Sequence, residues 1–136
     1  NKVLGLHEIN GDLYYFRRGG AYKYTQLGDM WQDSINYIDG KIYYFGHDGR
    51  AIKNRFYQWG NYWYYFYADG SAATGAVQIN GQQLYFDKNH GRQVKGAFAP
   101  DGHYYDENSG ELVTNQTRTI KGVTYHFDEN GNATKV

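Results

Sequence analysis

Ile79-Asn80-Gly81-Gln82-Gln83-Leu84-Tyr85-Phe86 couples a two-residue turn signal to a short aromatic strand, and its reading decides the fold. Asn-Gly is the strongest short hairpin signal, because a type I′ turn needs φ > 0 at both central residues. The pattern recurs at Ile9 to Phe16 (INGDLYYF), Ile38 to Phe45 (IDGKIYYF), Trp59 to Phe66 (WGNYWYYF), Pro100 to Asp106 (PDGHYYD) and Ile120 to Phe127 (IKGVTYHF). Lys121-Gly122 keeps only the glycine of the pair, and Gly60-Asn61 inverts it, which Asn tolerates because it visits the left-handed region. A second glycine follows each segment, at Gly20, Gly49, Gly70, Gly91, Gly110 and Gly131, in steps of 29, 21, 21, 19 and 21 residues. A period near 21 without the Leu/Asn ladder of leucine-rich repeats defines a unit of one short hairpin plus a linker. A lone two-stranded hairpin is marginal in water, so its stability has to come from stacking. The sequence therefore predicts an all-β protein, a β-solenoid of about six stacked hairpin repeats, read as a single module over residues 1–136.

Composition agrees with that architecture and narrows the partner. Aromatic residues make up 19% of the chain, with 16 Tyr, while 18 Gly and a single Pro favour many tight turns. Lys plus Arg and Asp plus Glu balance at 14 each, so no bulk field draws the chain to nucleic acid, and a neutral ligand fits best. No apolar run approaches a membrane span, so membrane insertion is not expected. Zero Cys excludes a disulfide scaffold and thiolate chemistry. The start Asn1-Lys2-Val3 carries neither an initiator Met nor a signal-peptide core, and the chain reads as a fragment of a larger secreted protein.

Adjacent strand residues face opposite sides, so the two tyrosines of Tyr14-Tyr15, Tyr43-Tyr44 and Tyr64-Tyr65 occupy different environments. The first slot (Tyr14, Tyr43, Tyr64, Leu84, Tyr125) shares a face with the closing Phe16, Phe45, Phe66, Phe86 and Phe127, and reads as core. The second slot (Tyr15, Tyr44, Tyr65, Tyr85, His126) always carries a polar tip and reads as the more exposed face. A row of partly exposed aromatics suits a sugar, whose flat C–H face stacks on a ring while its hydroxyls seek polar neighbours. The alternative is that both faces pack, one within each hairpin layer and one between layers.

Asn-Gly, Tyr-Tyr-Phe, a second turn and its glycine together resemble the cell-wall-binding-type repeats of Gram-positive secreted proteins, most closely the YG-type repeats in the glucan-binding domain of glucansucrases. The Gln-x-Lys step in Gly91-Arg92-Gln93-Val94-Lys95-Gly96 resembles the polar half of a sugar pocket there. The resemblance implies an extracellular or cell-surface module that binds α-glucan such as dextran between successive repeats, without cofactor or metal. The expected carbohydrate-binding residues are Tyr65, Tyr85, Gln93 and Lys95, with Tyr44, Lys53, Tyr15 and Tyr104 at other repeats. Gln93 and Lys95 supply the donors and acceptor for sugar hydroxyls. The linkers with Ala51, Ala72 and Thr74, or Leu112 and Thr114, depart from that pattern, and the register near Gly20 offers Tyr22 and Lys23.

Two related readings stand beside this one. Choline-binding repeats share the architecture, but a quaternary ammonium needs a full aromatic cage. Here Ala76 and Ala97 follow the linker glycines where such repeats usually place Trp. The oligosaccharide-binding repeats of large clostridial toxins mix short and long units, as the 29-residue first step does. Teichoic acid is a further cell-wall ligand, and exposed edge strands offer a route to self-association. Catalysis within the module is not expected. Asp106-Glu107 and Asp128-Glu129 fall in turn positions, and the five His lack metal-ligand spacing. The parent protein would be a glucansucrase-type glycosyltransferase.

Overall fold

The computed structural model describes residues 5–17, 29–30, 34–46 and 48–136. Tyr22 and Lys23 lie outside them, and the side chain of Phe16 is not described. Among the described residues every regular element is a strand, and the repeats are antiparallel hairpins as the turn signals require. The first pairs β1 (Gly5–Ile9) with β2 (Asp12–Arg17), which is joined on its other side by β3 (Asp29–Met30). β4 (Ser34–Ile38) pairs with β5 (Lys41–Phe45), β6 (Arg55–Trp59) with β7 (Tyr62–Phe66), and β8 (Gly75–Ile79) with β9 (Gln82–Phe86). The short β10 (Ala97–Phe98) pairs with β11 (Tyr104–Tyr105). β12 (Gln116–Ile120), β13 (Val123–Phe127) and β14 (Ala133–Lys135) close the chain as a three-stranded sheet.

Turn geometry follows the sequence at four hairpins. Asn10-Gly11, Asp39-Gly40, Asn80-Gly81 and Lys121-Gly122 all have φ > 0 at both residues, as a type I′ turn demands. Two expectations are corrected. Of Gly60-Asn61 only Gly60 has positive φ, the signature of a II′ turn, so Asn61 is not asked to visit the left-handed region. In the fifth repeat Gly102 donates to Ala99 O (2.9 Å) and Ala99 donates to His103 O (2.9 Å). Pro100, Asp101 and Gly102 therefore form a three-residue loop with glycine in the left-handed position.

The chain divides into two compact units, residues 1–59 with 65–72 and residues 60–64 with 73–136. The same ladder builds both. In unit 1 the Ala51 amide donates to Leu13 O and the Ala72 amide to Ile42 O, each at 2.8 Å. In unit 2 Gln93 and Leu112 donate to Trp63 O and Gln83 O, again at 2.8 Å. Each of these four residues also bridges the closing aromatic of its own hairpin, Phe45, Phe66, Phe86 or Tyr105. One linker residue thus ties its own hairpin to the preceding one, and the backbone groups of a short unit are satisfied only in the stack. The fold is a β-solenoid of hairpin repeats.

The second glycines let this ladder close. A Cβ on Gly110 would sit 2.3 Å from Gln93 Nε2, and one on Gly131 would sit 2.8 Å from Leu112 Cδ1. Both residues hold positive φ, so a side chain there is strained even where the flexible Gln93 and Leu112 tips move aside.

Phe45, Phe66, Phe86 and Phe127 are fully buried, as are Tyr64 and Leu84 nearly so, which bears out the core face. The exposed row of second-slot tyrosines does not exist as expected. Tyr44 is 4% exposed and Tyr85 3%, while Tyr15 and Tyr65 are half-buried. Tyr85 packs against Tyr105 of the next repeat at 5.8 Å, in a cluster with Ala99, Val94 and Leu112. Tyr15 packs against the cluster of Ile38, Tyr43, Phe45 and Ala51 in the following repeat. The first face fills the hairpin layer and the second fills the space between layers, because a two-stranded layer is too thin to leave a ring in water.

Candidate functional site

Among the named site residues, Tyr44, Tyr85 and Tyr104 are built into packing. Tyr44 lies 4.8 Å from the Tyr57 ring and 6.1 Å from Trp59, and Tyr104 packs on Phe98 and Phe127. Tyr65 belongs to unit 1, where it sits edge-on to Phe56 (4.8 Å) and Tyr67 (5.6 Å). Gln93, Lys95 and Tyr85 belong to unit 2.

In unit 2 the fourth linker runs along the start of β7, held there by the bond from Gln93 N to Trp63 O. Two cations of the linker lie over two rings of that strand. The Arg92 guanidinium is 4.3 Å from the Tyr62 centroid, and Lys95 Nζ is 5.5 Å from the Trp63 centroid. Lys95 also donates to Asn108 O (3.4 Å) in the next repeat's turn. The Gln93 amide fills the space left by the missing Cβ of Gly110. Trp63 remains 37% exposed and Tyr62 44%. The result is an open platform of an aromatic face, an anchored ammonium and a positioned amide. Trp63 escaped the sequence reading, which followed the Tyr-Tyr-Phe core of each strand. The usable signal was its position, since every ladder carbonyl is the second residue of its strand.

In unit 1 the second linker borders a cleft of about 630 Å³ lined by Asp12, Asp48, Arg50, Lys53, Arg55 and Tyr57 among others. Lys53 Nζ donates to Gly11 O, and Arg50 bridges Asp48 (2.6 Å) and Asp12 (3.5 Å). The corresponding cleft of unit 2, about 200 Å³, is bordered by Asp106, Glu111, Gln116 and Arg118. A separate groove of about 380 Å³ is walled by Phe98, Tyr104, Ile120, Val123 and Tyr125, with Lys121 as its one charged lining residue.

Asp106 and Asp128 serve turns. Asp128 accepts from Asn130 N (2.9 Å) and Asn132 N (2.8 Å). Asp106 accepts from Ser109 N (2.9 Å) and Asn108 N (2.8 Å) and pairs with Arg118 (2.9 Å). These bonds, the Ser109 amide first, hold its carboxyl down from 3.8 to about 2. Such a group stays ionised and cannot act as a general acid near neutrality. Its folded-state pKa lies below the unfolded one, so its stabilisation is complete above pH 4 and is lost as pH falls from about 4 toward 2. Asp106→Asn is expected to lower stability by about 1 kcal/mol at pH 7, with the gap to wild type closing near pH 2. Thermal melts at both pH values check this, and a gap independent of pH would contradict it. Among the described residues no group of three or more His, Cys, Asp or Glu is placed to hold a metal ion.

Stacked hairpins with open clefts between repeats, and carboxylates committed to turns, define a repeat module of the binding type. The chain carries choline-binding and cell-wall-binding repeats: a choline-binding repeat matches residues 73–116, and a cell wall binding repeat matches 54–72 and 118–133. It is 42% identical over 138 residues to Glucosyltransferase-I of Streptococcus downei, covering 96% of this chain and 8% of that protein. It is 35% identical over 154 residues to Glucosyltransferase-S of Streptococcus mutans, covering 93% of this chain and 10% of that protein. The chain therefore spans about a tenth of these relatives' length. Choline binding protein F of Streptococcus pneumoniae shares the fold, with a TM-score of 0.78 at 23% identity over 97% of this chain and 45% of that one. The CbpF complex with ipratropium gives 0.74 at 27% identity, over 97% of this chain and 39% of that one.

Proposed function

We propose that this module binds α-glucan without catalysing its turnover, as the glucan-holding part of a secreted or cell-surface glucosyltransferase-type protein. The observation that carries the reading is the platform in which Lys95 is fixed over Trp63 while Gln93 is bonded to the backbone of the same residue. A glucose ring stacked beside Trp63 would meet the two ammonium donors that Lys95 retains beyond its bond to Asn108 O, and the Gln93 amide, with Lys95 already held in place, which limits the entropy cost of binding. Relatives named glucosyltransferases match nearly the whole chain, which supports the same reading. Electrophoresis of the protein through gels with and without dextran tests it: retardation by dextran is expected, and unchanged mobility would overturn it.

Two further outcomes follow if the polymer is uncharged and meets more than one repeat. Dextran affinity is expected to stay nearly constant between low and moderate salt, since no counterions are released on binding a neutral chain. A steep fall in affinity would rule out a neutral ligand as the main partner. Long dextran is expected to bind far more tightly than isomaltotriose, through effective concentration along neighbouring repeats. Calorimetry giving equal affinity for the two would leave a single working site.

The groove around Phe98 favours a second reading. Phe98, 39% exposed, makes edge contacts with Tyr125 (5.3 Å) and the buried Tyr104 (5.2 Å), so Phe98 and Tyr125 offer two rings to a quaternary ammonium, with Ala97 in place of a larger wall and Lys121 in the same groove. Titration with choline chloride, followed by tyrosine fluorescence, separates the readings, because choline should not displace dextran from the Trp63 platform.

A further inference from the structure

Counted from their second glycines, Gly49 and Gly110, the two linker clefts occupy the same place in the repeat, yet their charges differ. Arg50, Lys53, Arg55 and Tyr57 in unit 1 correspond to Glu111, Thr114, Gln116 and Arg118 in unit 2. In unit 2 the one cation of the cleft is spent on Asp106 at 2.9 Å. In unit 1 Arg50 is matched by Asp48 and Asp12, but Lys53 and Arg55 have no ion-pair partner among the described residues. Both are nonetheless held. Lys53 is tethered to the neutral Gly11 carbonyl, and the Arg55 guanidinium lies 5.5 Å from the Tyr57 centroid. Tyr57 is in turn packed on the buried Tyr44 at 4.8 Å.

We propose that the unit 1 cleft is a separate, charge-selective site that takes an anionic, polyhydroxylated polymer. Lys53 and Arg55 receive the anionic oxygens, and Asp48 and Asp12 accept from neighbouring hydroxyls. The volume of about 630 Å³ lies in the range of small-ligand pockets, three times that of the corresponding cleft in unit 2. Arg55 brings a planar fork with five donors, and Lys53 retains two donors beyond its bond to Gly11. A phosphodiester and a uronate share the chemistry these groups read, and both occur on hydroxylated chains. The overall charge balance of zero does not oppose this, since Lys53 and Arg55 are local cations without an ion-pair partner among the described residues and the cleft lining, three cations against Asp12 and Asp48, carries one net positive charge. The described residues that line this cleft all belong to unit 1, and Trp63, Gln93 and Lys95 belong to unit 2.

The test measures binding of poly(glycerol phosphate), polygalacturonate and dextran by calorimetry at low and moderate salt. The proteins are wild type, Lys53→Gln/Arg55→Gln and the surface control Lys88→Gln. Wild type is expected to bind at least one polyanion at low salt, with affinity falling steeply as salt rises. The double variant is expected to lose that binding at least tenfold while keeping its melting temperature. Lys53→Arg, which keeps the charge, should retain polyanion binding. Binding of only one polyanion would assign the site to phosphate or to carboxylate. Absence of polyanion binding at low salt, undiminished binding by the double variant, or equal weakening by Lys88→Gln would each overturn the proposal. Dextran binding in the same series judges the glucan reading separately.

Discussion

Truncation of Phe86 to alanine is expected to destabilise the protein by about 3–5 kcal/mol. Phe86 is fully buried, closes the fourth hairpin and bridges the linker at Gln93, so its removal opens a cavity at the joint between hairpin and linker. A thin two-stranded layer has few neighbouring side chains able to collapse into that space. Gln93→Ala gives the contrasting result and should leave the melting temperature nearly unchanged. The equivalent ladder positions already hold alanine, Ala51 and Ala72, and the bonds that matter there come from the backbone. Tyr85→Ala should resemble Phe86→Ala, because Tyr85 is packed between repeats. Thermal and urea melts of the three variants check the set. A Tyr85→Ala protein as stable as wild type would contradict the assignment of the second tyrosine slot to interlayer packing.

Trp63→Ala is expected to weaken dextran binding by about 1–3 kcal/mol, or roughly 5- to 150-fold, because small interfaces lean on a few aromatic anchors. The change removes the stacking face and the surface that fixes Lys95. Gln93→Ala should cost about 1 kcal/mol or more, since a sugar hydroxyl in a partly dry site loses its partner. Trp63 is more than a third exposed, so its loss should affect folding much less than that of Phe86. Calorimetry with isomalto-oligosaccharide, run beside melts, separates binding from stability. If Trp63→Ala and Gln93→Ala remain folded and bind like wild type, the platform is no sugar site and its side chains serve only packing.

The linker positions show why some of the site was legible and some was not. Lys53 and Lys95 stand at the same step after their glycines, and the sequence marked both as candidates. Both lean on the preceding hairpin, Lys53 on the Gly11 carbonyl and Lys95 on the Trp63 ring, but Lys95 also reaches forward to Asn108. A four-carbon stem can reach either neighbouring repeat, and spacing along one chain does not say which offers the better partner. Lys53 consequently joins a cationic cleft and Lys95 an aromatic platform.

By itself the sequence determined the hairpins, their turns and their period. These depend on local backbone terms: Asn10-Gly11 or Asn80-Gly81 accepts positive φ wherever it stands, and strand alternation puts Phe45 and Phe86 on one side. Only the tertiary structure decided where the other side faces. Tyr44 and Tyr85 have polar tips suited to solvent, yet the next hairpin lies over them, because burying a ring between two thin layers gains more than leaving it wet. The exposed ring then falls to Trp63, whose place beside Gln93 and Lys95 arises from a backbone bond between residues thirty positions apart.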